Sequence, residues 1–72
     1  MQFKDFPTVF RNRIDETGMT DKAVAEKAGL TREALSAMLN HRQKITATAF
    51  IGLCAVLGLT VDDFIITEKE GE

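Results

Sequence analysis

The sequence predicts an all-α fold of five short helices packed about one core. Three observations carry that expectation. Apolar residues recur at helical spacing along most of the chain, and no stretch alternates strongly enough to compete as a strand. Glycines punctuate that pattern at Gly18, Gly29 and Gly58, and threonines able to cap a helix, Thr20, Thr31 and Thr60, stand two residues beyond them. With 44% apolar residues, five Phe and no Trp or Tyr, the 72 residues can build a small aliphatic core with aromatic plugs rather than remain disordered.

Taken in order, Phe6, Phe10 and Ile14 recur at i, i+4 and i+8 with Val9 beside them, and Pro7 is tolerated in a first turn. These residues predict a helix over residues 6–17, stopped by Gly18. Thr20 is a candidate N-cap and Asp21 suits the positive end of the helix dipole, so a second helix is expected over about 20–28. Gly29 permits the positive φ that ends a helix tightly, Leu30 can fill the wedge beneath the turn, and Thr31 can cap a third helix over about 31–40. The turn between the second and third helices is then three residues long.

The polar, basic connector HRQKI, residues 41–45, leads to Thr46 as the next cap. Phe50, Leu53, Cys54 and Leu57 mark one face of a fourth helix over about 46–57, ended by Gly58. Thr60 with Asp63 three residues on approximates a capping box and predicts a short fifth helix through TVDDFII. One domain is expected over 1–66, followed by a frayed polar tail, TEKEGE, over 67–72. No repeat or linker interrupts the chain.

Seventy-two residues lie near the lower limit for a core that holds without disulfides or metal, which leaves no room for a second, catalytic domain. The lone Cys54 cannot form an internal disulfide and lies in an apolar stripe, so it reads as a packed thiol in a reducing compartment. The N-terminus lacks the apolar run of a signal peptide, and no window could span a bilayer, so a soluble cytoplasmic protein without membrane contact is expected. Net charge is −2, yet its distribution is uneven: residues 1–46 carry eight basic and six acidic side chains, residues 47–72 one and five. A locally basic surface is compatible with that total.

The stretch TDKAVAEKAGLTREALSAMLN, residues 20–40, sets a small Ala25, then Gly29 four residues later at the turn, then Leu35 six further on as a buried anchor, with Val24, Ala28, Leu30 and Met38 apolar around them. This spacing resembles a DNA-binding helix-turn-helix. The resemblance extends from Phe10 to Ile65, through GMT before the second helix and LCAVLGLTVDDFI late in the chain. Over more than three quarters of its length, the sequence resembles the compact five-helix domain of the lambda-repressor and Cro-type (XRE) transcriptional regulators.

That resemblance implies that the third helix enters the major groove with its first turn toward the base edges, making Arg32, Glu33, Ser36 and Ala37 the outward base readers, with Gln43 in the following loop reaching base or backbone. Arg32 suits guanine O6 and N7, and Glu33 a cytosine amino group. Asn40, Arg42 and Lys44 are the implied phosphate contacts. Two positions depart from the family pattern. Asp21 replaces a commonly phosphate-binding glutamine and would repel a phosphate. His41 follows Asn40 where glycine is common, and a positive φ there costs about 1 kcal/mol or somewhat more.

His41 has no nucleophile or metal-ligand cluster beside it, Asp62 and Asp63 fit a helix start, and no Gly-rich phosphate loop is present, so neither an enzyme, a metal site nor a cofactor is expected. No domain for a small-molecule ligand is visible. The expected function is that of a small sequence-specific regulator, a repressor occupying a double-stranded DNA operator as a homodimer. The competing reading is a protein-interaction module, antitoxin-like or anti-repressor, that keeps the fold with weak or no DNA binding; Asp21, Glu33 and the low pI favour it.

Overall fold

A computed structural model describes residues 1–66. In order along the chain lie β1 (Gln2–Phe3), α1 (Phe6–Thr17), α2 (Asp21–Ala28), α3 (Arg32–Leu39), α4 (Ala47–Leu57), a single 3-10 turn (Val61–Phe64) and β2 (Ile65–Ile66). The polar tail, residues 67–72, lies outside the described residues.

Local chemistry accounts for the helix limits. The side chains of Thr20, Thr31 and Thr46 accept hydrogen bonds from the backbone N–H three residues on, at 3.0 to 3.1 Å, each satisfying a donor that has no partner within its helix. Asp5 does the same for α1, accepting from the Thr8 N–H at 3.2 Å and the Thr8 hydroxyl at 2.6 Å. The α1, α2 and α4 helices end on glycines in the left-handed conformation.

The expected fifth helix is corrected to a 3-10 turn followed by a strand. Asp63 does reach back to the Thr60 N–H at 2.8 Å, so the start signal is real, but only four residues follow in helical form before Ile65 turns extended at φ −98° and ψ 131°. There the chain finds a better partner for its backbone: β2 pairs antiparallel with β1, Gln2 opposite Ile66 and Phe3 opposite Ile65, and the Lys4 N–H donates to the Phe64 carbonyl at 2.7 Å. The two-residue strands are too short to show an alternation in sequence.

Phe10, Ile14, Val24, Leu35, Leu53 and Phe64 are buried at the centre. Four phenylalanines from α1, α4 and the 3-10 turn, Phe6, Phe10, Phe50 and Phe64, stack with centroids 5.0 to 5.7 Å apart in tilted and edge-to-face arrangements. Gly52 lets α4 press against the end of α2, because a Cβ there would stand 3.0 Å from the Ala28 carbonyl oxygen. Cys54 is a half-buried free thiol, pushed up in pKa by burial and then by the charge of Asp63. Leu59 belongs to the core, and Val56 and Ile65 are half-buried; the large apolar side chains left exposed are Met1, Phe3, Ile51, Val61 and Ile66. Among the described residues, no helix is long and apolar enough to cross a membrane.

Candidate nucleic-acid interface

The turn between α2 and α3 is three residues long and takes its shape from Gly29. At φ 77° its N–H donates to the Glu26 carbonyl, and the next residue's N–H, from Leu30, donates to Ala25 at 2.8 Å. That pair of bonds is a Schellman ending, and it needs a left-handed residue at its pivot. A Cβ at Gly29 would meet no atom within 4 Å, so the requirement is one of backbone conformation and not of space. Ala25, 1% exposed, lets the two helices approach, while Leu35 and Met38, 0% and 1% exposed, fasten the inner face of α3. Burying a side chain of that size stabilises by about 1.5 to 3 kcal/mol, enough to set which face of α3 looks outward.

On the outward face, Arg32 and Glu33 are exposed in the first turn of α3, and Ser36 and Ala37 one turn later are half-buried. Asn40 is exposed at the helix end and turns its amide inward along the helix, donating to the Ser36 carbonyl at 2.9 Å and the Ser36 hydroxyl at 3.2 Å. Arg42, Gln43 and Lys44 are exposed in the loop beyond. Among the described residues, Arg32, Arg42 and Lys44 take part in no ion pair, whereas Arg11 and Arg13 of α1 do. The outward side therefore brings together an arginine at one end of α3 and two cations at the other.

His41 follows the path that glycine takes elsewhere. Its φ is 63°, the only positive value among the described non-glycine residues, and it pivots a second Schellman ending: the His41 N–H donates to Met38 at 3.3 Å and the Arg42 N–H to Ala37 at 2.8 Å. That conformation costs about 1 to 2 kcal/mol, and the residue that adopts it makes a long-range contact. His41 Nε2 lies 2.9 Å from Asp5 Oδ2, so the loop after α3 is tied to the N-cap of α1. Hydrogen bonding from Thr8, and then from His41, holds the Asp5 carboxyl below its ordinary pKa. Asp5 carries no signal for this role in the sequence, since 36 residues separate it from His41.

Asp21 also has a partner that sequence spacing does not reveal. Arg11 of α1 lies 2.6 Å from it, which offsets the charge expected to repel a phosphate at the start of α2. Asp21 lines one shallow cleft with Thr20, Lys22 and Arg32, so this compensated carboxylate shares its surroundings with two cations that form no ion pair among the described residues.

The family model for the Cro/C1-type HTH DNA-binding domain matches residues 10–70. No curated protein and no solved structure gives a significant match.

Proposed function

Because the chain belongs to the Cro/C1-type helix-turn-helix DNA-binding family, we propose that it is a sequence-specific regulator that represses transcription by occupying a double-stranded operator in the cytoplasm. The observation that carries this reading is the outward face of α3, where Arg32 is exposed at the start of the helix with no ion-pair partner among the described residues and Arg42 and Lys44 are exposed beyond its end.

In the proposed complex α3 lies in the major groove. Arg32 donates to guanine O6 and N7, Glu33 accepts from a cytosine amino group, and Ser36 and Ala37 approach the base edges one turn later. Gln43 reaches the groove from the loop. Arg42 and Lys44 neutralise phosphates and fix the register, and Asn40 contributes a contact from the helix end. The protein's part is binding and not catalysis, and it requires no cofactor.

A module of this size buries only about 600 to 1,000 Å² on DNA, so useful affinity calls for two copies on a two-fold related site. The exposed Phe3, Ile51, Val61 and Ile66 support a homodimer, because apolar side chains of this size are stabilised by removal from water.

Selection of bound duplexes from a random pool tests the proposal. The expected result is enriched two-fold related sites, with one base preference lost in Arg32→Ala. No enrichment even at low salt would replace it with a protein-interaction module of the antitoxin or anti-repressor kind.

A further inference from the structure

A cleft of about 490 Å³ opens between the N-terminal end of α1 and the loop that follows α3, and the α3 surface does not account for it. Its rim carries Lys4 from the junction of β1 and α1 and Arg42 and Lys44 from the loop; Phe6 and Ile45 contribute apolar surface. None of the three cations forms an ion pair among the described residues. One carboxylate, Asp5, lines the cleft with them; its Oδ2 takes all of its contacts, from Thr8 and His41, so the cleft sets three cations against a single acidic group. Three cations brought to one cleft from two distant segments favour an anion there.

We propose that this cleft is a second seat for the DNA backbone, in which Lys4 joins Arg42 and Lys44 on the phosphates of the strand that runs past the C-terminal end of α3. The inference rests on the DNA-binding reading of α3 and extends its footprint to the N-terminal segment. DNA is favoured over other polyanions because residues 41–45, which line the cleft, follow directly on α3, so a backbone passing the helix meets the cleft next. Asp5 and His41 are positioning residues. Their 2.9 Å contact joins the two walls, and the left-handed turn at His41 leads into the segment whose Arg42 and Lys44 line the same cleft as Lys4.

The test measures duplex affinity of the full chain against salt concentration, using an operator obtained by selection and a random duplex. For Lys4→Gln the slope of log affinity against log salt should fall by about 0.9, one phosphate contact, with affinity about fivefold weaker near 0.15 M salt. Base preference should be unchanged, and Lys27→Gln, a cation that does not line the cleft, should leave the slope as it is. Asp5→Ala should reduce the slope while Arg32-dependent base preference persists, which loss of the fold would not allow.

A slope unaltered by Lys4→Gln, with wild-type binding intact, overturns the cleft proposal and leaves the α3 reading standing. Absence of wild-type duplex binding overturns both. Nuclear magnetic resonance supplies an independent check: the Lys4 and Lys44 signals should shift with the random duplex. Shifts with a poly-glutamate peptide and none with the duplex would assign the cleft to an acidic protein partner instead.

Discussion

The arginines of α1 and those flanking α3 are the same side chain put to opposite uses. Arg11 is drawn against Asp21 at 2.6 Å, with its Nε buried, and Arg13 reaches Glu16 at 3.6 Å and Asp63 at 3.9 Å. Arg32 and Arg42 are exposed and have no acidic partner among the described residues. A guanidinium already matched to a carboxylate has little left to offer a phosphate or a guanine, whereas an unmatched one pays no exchange penalty when a ligand anion arrives. The division reconciles the net charge of −2 with the proposed DNA contact. Among the described residues Arg32, Arg42 and Lys44 have no ion-pair partner, and part of the acidic complement is consumed by cations elsewhere.

The sharpest way to test this division is Arg32→Ala. Specific binding should weaken by about 1 to 3 kcal/mol, with preference relaxed at one base position, while the unfolding free energy from urea titration stays within about 0.5 kcal/mol of wild type. A large loss of stability would mean that Arg32 is structural after all, like Arg11.

Next in size is Arg42→Ala, which should weaken operator and random duplex alike and lower the salt slope by about one unit. Equal slopes for the two proteins would remove Arg42 from the phosphate contacts. Asp21→Asn acts on the other side of the comparison. It breaks a pair that is 40% exposed on both sides, so stability should drop by no more than about 1 kcal/mol. Random-duplex affinity at low salt should rise modestly, because Arg11 is released and a carboxylate is removed beside Lys22 and Arg32. Weaker binding would show that Asp21 supports the interface.

The smallest effect is a pH dependence. The Asp5 carboxyl lies below its ordinary pKa through hydrogen bonding from Thr8 and His41. The unfolded chain therefore binds the proton more readily than the folded one, and the stabilisation is present above the ordinary carboxylate range and lost as pH falls through the lowered value. The stability difference between wild type and Asp5→Ala should shrink with acidification through the carboxylate range, as followed by urea unfolding from about pH 5 to about pH 2.5. A difference that does not change over that range would leave the Asp5 carboxylate without a part in tying the loop to α1.

Four helices, the threonine caps of α2, α3 and α4 and the glycine pivots at Gly18, Gly29 and Gly58 were legible in the sequence, because capping and left-handed turns depend on residues within a few positions of one another; the Asp5 cap of α1 was not read there. The burial of Leu35 and the outward placement of Arg32 were implied by the resemblance to the helix-turn-helix family, and the structure has both. Tertiary structure alone decided the rest. The last segment became a 3-10 turn and a strand because Gln2 and Phe3 offered it backbone partners. Asp21 lost its free charge to Arg11, and His41 held a glycine-like conformation against Asp5. Each of these outcomes depends on two groups brought within hydrogen-bonding distance by the packing of other elements, and such proximity leaves no periodic trace along a chain.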